Sequence, residues 1–233
     1  MIDVQATLGE LVTTTPALAV ELVRRGLDPC CGGHRRFVDA CEEAGLDPGL
    51  VSAELTAVEP PPTPPAWATM GLVQLVDHVE TTHHRYLQTE LPRLDDLGAT
   101  VLRVHGARHR ELADVRRLVS ALRLDLMAHL AKEERVLFPA IRQLAVAEHA
   151  GDRWLQAPIA TMRHEHDRAG HLLAELRAAT GGYEPPDDAC ASYQALYVGL
   201  AAVEDDTHLH VHKENNLLFP AVVELEQRWA DPA

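Results

Sequence analysis

Aromatic side chains are scarce in this 233-residue chain, at 4% of the total, although 46% of its residues are hydrophobic. A chain rich in Ala and Leu but poor in Phe, Tyr and Trp favours helix over sheet, so an all-α protein is predicted. Cysteine is also rare, with four residues. That is too few for a disulfide scaffold in a chain this long, and thiols are the default state in a reducing compartment. Long apolar runs are absent: no stretch approaches the roughly 18 residues needed to cross a bilayer. The first twenty residues carry Asp3 and Glu10 and lack a basic region followed by an apolar run, so no secretory signal is expected. A cytoplasmic location follows. Lys and Arg total 21 against 35 Asp and Glu, a formal charge of -14. That charge repels phosphate backbones and anionic lipid, which disfavours nucleic acid and membranes as partners and leaves small or cationic ones.

Glycine and proline divide what remains. Residues 1–57 are predicted as a small helical domain with helices at about 16–25, 34–44 and 48–57, the first two closed by Gly26 and Gly45. Between them lies Asp28-Pro29-Cys30-Cys31-Gly32-Gly33, a cysteine pair in a turn. Adjacent Cα atoms sit ~3.8 Å apart, below the usual disulfide range, so two thiols are expected rather than a bond. With His34, Arg35 and Arg36 nearby, their thiolate forms should be favoured. Cys41 and Cys190 read as buried small hydrophobes. Residues 58–66 include Glu59-Pro60-Pro61-Pro62-Thr63-Pro64-Pro65, a semi-rigid linker. Residues 67–233 then hold four long helices, at about 69–97, 106–147, 153–180 and 187–228, with Pro139 and Pro220 expected to end or kink theirs. An up-down four-helix bundle is predicted.

Two segments of that bundle share one plan. HLAKEERVLFP begins at His129 and HLHVHKENNLLFP at His208. In each, a histidine precedes a glutamate by four residues, as His129/Glu133 and His210/Glu214, and Leu-Phe-Pro follows. On a helix that spacing puts imidazole and carboxylate one turn apart on one face, within reach of one metal centre. Glu133 is the only acid on a face of Leu122, Leu126 and Val136, and a buried unpartnered acid is costly. His166 shares a face with Ile159, Met162, Ala169 and Leu173 and points inward. His208 and His212 fall opposite His210 and read as surface residues. Helical phase favours His84 only slightly over His83, and His105 competes with His109.

Imidazole and carboxylate donors without thiolate suit iron, with zinc and manganese as competitors. Take one histidine from each open pair together with His129, His166 and His210, let Glu133 and Glu214 each bridge two ions, and add one oxo or hydroxo bridge. About eleven donor bonds then meet the twelve of two octahedral ions, leaving a vacancy for a diatomic ligand.

These residues resemble the RIC (repair of iron centres) family of the YtfE/ScdA type, in which a short domain with a Cys-Cys-Gly-Gly turn precedes a hemerythrin-like di-iron bundle. The resemblance rests on Leu8-Gly9-Glu10, Cys30-Cys31-Gly32-Gly33, Lys132-Glu133-Glu134, Glu165-His166-Asp167 and Glu214-Asn215-Asn216, with the two Leu-Phe-Pro blocks. It implies two iron ions held by His84, His105, His129, Glu133, His166, His210 and Glu214, with Cys30 and Cys31 as redox thiols. It also implies protection or repair of damaged iron–sulfur proteins, by iron delivery or by reduction of nitric oxide, and a homodimer. A dioxygen or nitric oxide carrier or sensor without turnover is the alternative.

Overall fold

The computed structural model describes residues 2–58, 63, 65–147 and 154–230. Most of the proline linker, residues 59–62 and 64, lies outside them. The secondary structure of the described residues is helical. The small helices are α1 (Leu8–Thr14), α2 (Leu18–Arg24), α3 (Phe37–Glu43) and α4 (Pro48–Leu55). The longer course comprises α5 (Leu72–Val79), α6 (Arg85–His105), α7 (Glu111–Lys132), α8 (Phe138–Val146), α9 (Gln156–Ala179), α10 (Ala191–Lys213) and α11 (Phe219–Ala230). Helix α1 was not among the predicted helices, although its start is written in the sequence. Thr7 Oγ1 accepts from Glu10 N at 3.2 Å and Glu10 Oε2 accepts from Thr7 N at 2.7 Å, a reciprocal cap. Gly26 and Gly45 take φ of 75° and 71°, the left-handed helix ends expected of them.

Prolines do not stop the long helices. Pro139 has no N–H to give a regular helical bond, and the chain takes one wider π-turn over Glu133–Leu137, closed by Phe138 N–H on Glu133 O. The same device recurs over Glu214–Leu218, closed by Phe219 N–H on Glu214 O ahead of Pro220. A third π-turn, Glu80–His84, joins α5 to α6. The first long helix therefore runs on past its predicted end at 97 to His105.

Packing divides the chain into two compact units, and the chain passes between them within helices. Unit 2 holds residues 80–139 and 160–207. Its core is filled from four helices, by Leu87, Leu91 and Leu94 of α6, Leu118 and Leu122 of α7, Leu173 and Leu176 of α9, and Tyr193, Leu196 and Leu200 of α10. Each side chain buried there stabilises by roughly 1.5–3 kcal/mol relative to exposure. Buried charge is matched: Glu204 takes Arg177 by two nitrogens, at 2.6 and 3.1 Å. Unit 1 holds residues 1–79, 140–159 and 208–233. Leu8, Val12, Leu22, Phe37 and Leu55 make its core, with Leu209 packed against them. The small helices thus share a unit with the end of α10.

Candidate metal centre

In unit 2 three of the predicted ligands converge on a fourth. His84 closes the first π-turn and is fully buried. Its Nδ1 lies 3.0 Å from Glu134 Oε1, which also accepts from Gln88 Nε2 at 2.8 Å. That contact turns the other nitrogen, Nε2, toward Glu133 Oε2 at 3.4 Å. His129 repeats the pattern on α7, with Nδ1 2.9 Å from Glu165 Oε2 and Nε2 3.4 Å from Glu133 Oε2. His166 Nε2 lies 3.1 Å from His129 Nε2. Glu165 is in turn gripped by Lys132. Burial pushes its carboxyl pKa up, but Lys132 and His129 outweigh burial and leave it lowered. A carboxylate on one ring nitrogen, with the other presented inward, is the usual support of a metal-binding histidine.

Glu133 is the centre of this group and is 0% exposed, yet neither carboxylate oxygen has a hydrogen-bond partner among the described residues. An uncompensated buried carboxylate costs several kcal/mol. The spacing fits a cation. Imidazole nitrogens bound at ~2.1 Å and at a right angle sit about 3.0 Å apart, and His129 and His166 show 3.1 Å. One ligand atom from each of His129, Glu133 and His166 falls within 4.8 Å of the others. Phe138 stacks on His84 at 5.3 Å between ring centroids and seals that side.

Unit 1 carries the other predicted pair. His210 and Glu214 are fully buried, Nε2 to Oε1 being 3.2 Å, and Glu214 opens its π-turn as Glu133 does. Lys213 is buried beside them, with Nζ 3.0 Å from His78 Nε2 and over the Trp67 ring.

Four expectations are corrected. His105 ends α6, twenty-one residues beyond His84 on the same helix, which at 1.5 Å per residue is about 30 Å. Two residues so far apart cannot share a dinuclear centre. His105 instead sets Nε2 3.1 Å from Cys190 Sγ, and Cys190 is exposed, not buried. His208 and His212 are not surface residues. His212 is completely buried against Thr13, at 3.1 Å, and burial lowers its pKa to about 4. His208 Nδ1 lies 3.3 Å from Cys30 Sγ. Finally, the Cys30 thiolate is not favoured: hydrogen bonding with Cys31, burial and the charge of Asp28 all push its pKa well up. The sequence reading also missed Glu134 and Glu165, although each lies beside a quoted motif residue, next to Glu133 and His166.

A helical bundle that gathers buried imidazoles and carboxylates defines a cation-binding protein of the histidine–carboxylate class. Residues 75–222 match the hemerythrin HHE cation binding domain, and residues 4–59 match the ScdA_N domain, a domain of unknown function. The chain is 34% identical to the iron-sulfur cluster repair protein YtfE of Cronobacter sakazakii, over 91% of this chain and 94% of that protein. Identity to the proteins of that name from an Enterobacter species and from Escherichia coli O81 is 33% and 32%, with the same coverage. The chain belongs to this YtfE-type family of hemerythrin-like proteins.

Proposed function

We propose that the chain is a di-iron protein that repairs or protects iron–sulfur clusters damaged by nitric oxide or oxidative stress. His84, His129, Glu133, His166, His210 and Glu214 would hold the iron. The observation that carries this reading is Glu133, a fully buried carboxylate without a hydrogen-bond partner among the described residues, faced by two imidazole nitrogens at 3.4 Å. The repeated frame at His210/Glu214 and a family match running through residues 75–222 support the reading. Iron held there supplies Lewis acidity, one-electron chemistry and a coordination site for nitric oxide or another diatomic ligand. The chain's part is to orient and seal. Glu134 and Glu165 hold the Nδ1 side of two imidazoles, so that Nε2 is the donor atom.

Cys30 and Cys31 serve as the thiol pair of the same activity, in a cytoplasmic protein acting on damaged iron–sulfur proteins. About two irons per chain are expected in metal-replete protein. Rapid mixing of the reduced protein with nitric oxide should yield nitrous oxide if the centre turns over. Reversible binding without nitrous oxide would instead assign a dioxygen or nitric oxide carrier or sensor, and fewer than about two irons would refute the di-iron reading. Cys30→Ser with Cys31→Ser should slow recovery of damaged clusters while bound iron is unchanged. Sedimentation of the loaded protein tests the expected homodimer.

A further inference from the structure

We infer that Asp28, Cys30, Cys31 and His208 form a second metal site, for a single thiophilic divalent cation such as ferrous iron or zinc. Cys30 Sγ lies 2.9 Å from Asp28 Oδ1 and 3.3 Å from His208 Nδ1. Ligand atoms of Asp28, Cys30 and Cys31 fall within 4.8 Å of one another. Asp28, Cys30 and Cys31 offer two sulfurs and a carboxylate oxygen, and His208, which meets the group at Cys30, offers an imidazole nitrogen as the fourth donor for tetrahedral zinc or ferrous iron. The bundle donors include no sulfur, so the two sites differ in kind.

The donors are held in place before any ion arrives. Asp28 Oδ1 accepts the Cys30 and Cys31 N–H groups at 2.9 and 3.0 Å, which fixes the turn. From the end of α10 and the π-turn after it, Asn215 Nδ2 donates to Cys30 O at 3.3 Å and Asn216 Nδ2 to Pro29 O and Cys30 O at 3.3 and 3.1 Å. Gly33 makes this seating possible: a Cβ there would stand 2.2 Å from Asn216 Oδ1 and 2.5 Å from Pro29 O.

The chemistry of the cluster favours a cation over a free nucleophile or a disulfide. Asp28 beside a buried thiol works against a lone thiolate, whereas a divalent ion turns the same negative charge into a ligand and binds both sulfurs as thiolates. A bond between neighbouring cysteines would be strained. His208 places this cluster two residues from His210 on α10, so one helix supplies a ligand to each site.

Cobalt is the probe, because only sulfur ligation gives thiolate-to-cobalt charge-transfer absorption. The full-length, iron-loaded, reduced protein titrated with Co2+ without oxygen should develop that band, saturating at about one ion per chain, and Zn2+ should bleach it. Cys190→Ser should keep the band, Cys30→Ser should weaken it, and Cys30→Ser with Cys31→Ser should abolish it. Asp28→Asn and His208→Gln, which leave both sulfurs in place, should weaken cobalt binding at least about tenfold. Iron content should be unchanged in each variant. Absence of the band in the parent protein would overturn the assignment, and so would cobalt affinity unaffected by Asp28→Asn and His208→Gln. The test does not depend on the di-iron reading, whose failure would appear in the iron content rather than in the sulfur band.

Discussion

Replacing Glu133 by Gln should change stability in opposite directions with and without metal. In metal-free protein the Glu133 carboxylate is fully buried with no hydrogen-bond partner among the described residues. Leaving a buried polar group unsatisfied costs ~1–3 kcal/mol, and more when it carries charge. Gln keeps the shape and removes the charge, and its amide can donate to His84 or His129 Nε2, each now 3.4 Å from Oε2. A gain of about 3 kcal/mol is expected. For a chain of this size that raises the unfolding midpoint by about 6–12 °C. With iron the order should reverse, since ligand present at a thousand times its Kd adds ~4 kcal/mol to wild type and the variant has lost a bridging donor. Thermal melts followed by circular dichroism, in chelator and in ferrous iron, give all four midpoints. If Glu133→Gln melts below wild type in chelator, the carboxylate is already satisfied and the argument for a cation at this position fails.

His105→Gln should leave iron stoichiometry unchanged, whereas His84→Gln should lower it; equal losses measured by metal analysis would show that the helix-length argument is wrong. Glu165→Gln removes the support of His129 Nδ1 and should weaken iron binding about 10–100-fold without loss of helix, as read by competition with a chelator. Gly33→Ala forces a Cβ against Asn216 and Pro29 and should loosen the cysteine turn by ~1–3 kcal/mol. Disulfide-reagent labelling of Cys30 should then be faster than in wild type, while Gly170→Ala, with open space around it, should not speed it.

The burial of His129, Glu133, His166, His210 and Glu214 was readable because helical period points His166 inward and repetition of one frame marks the other four. His83 and His84 were not separable by phase, because the π-turn Glu80–His84 inserts an extra residue per turn and buries both. His83 turns to Asp206 at 2.8 Å instead. Proline misled in a similar way: Pro139 and Pro220 were read as breaks, yet a wider turn ahead of each absorbs the missing N–H. His105 was carried across by resemblance without asking how far a continuous helix would move it. His208 and His212 were assigned to solvent from the phase of one helix alone. Their face is covered by the N-terminal helices and the cysteine turn, and no local period reports that contact.

Helix α10 carries His208 against the cysteine turn and His210 beside Glu214, and no break lies between the two imidazoles. A rod cannot shift at one bearing and stay still at the other two residues away. A backbone shift that draws His208 toward Cys30 therefore twists or slides the turn that holds His210. The two positions are joined as on a common axle, and their displacements would be read together.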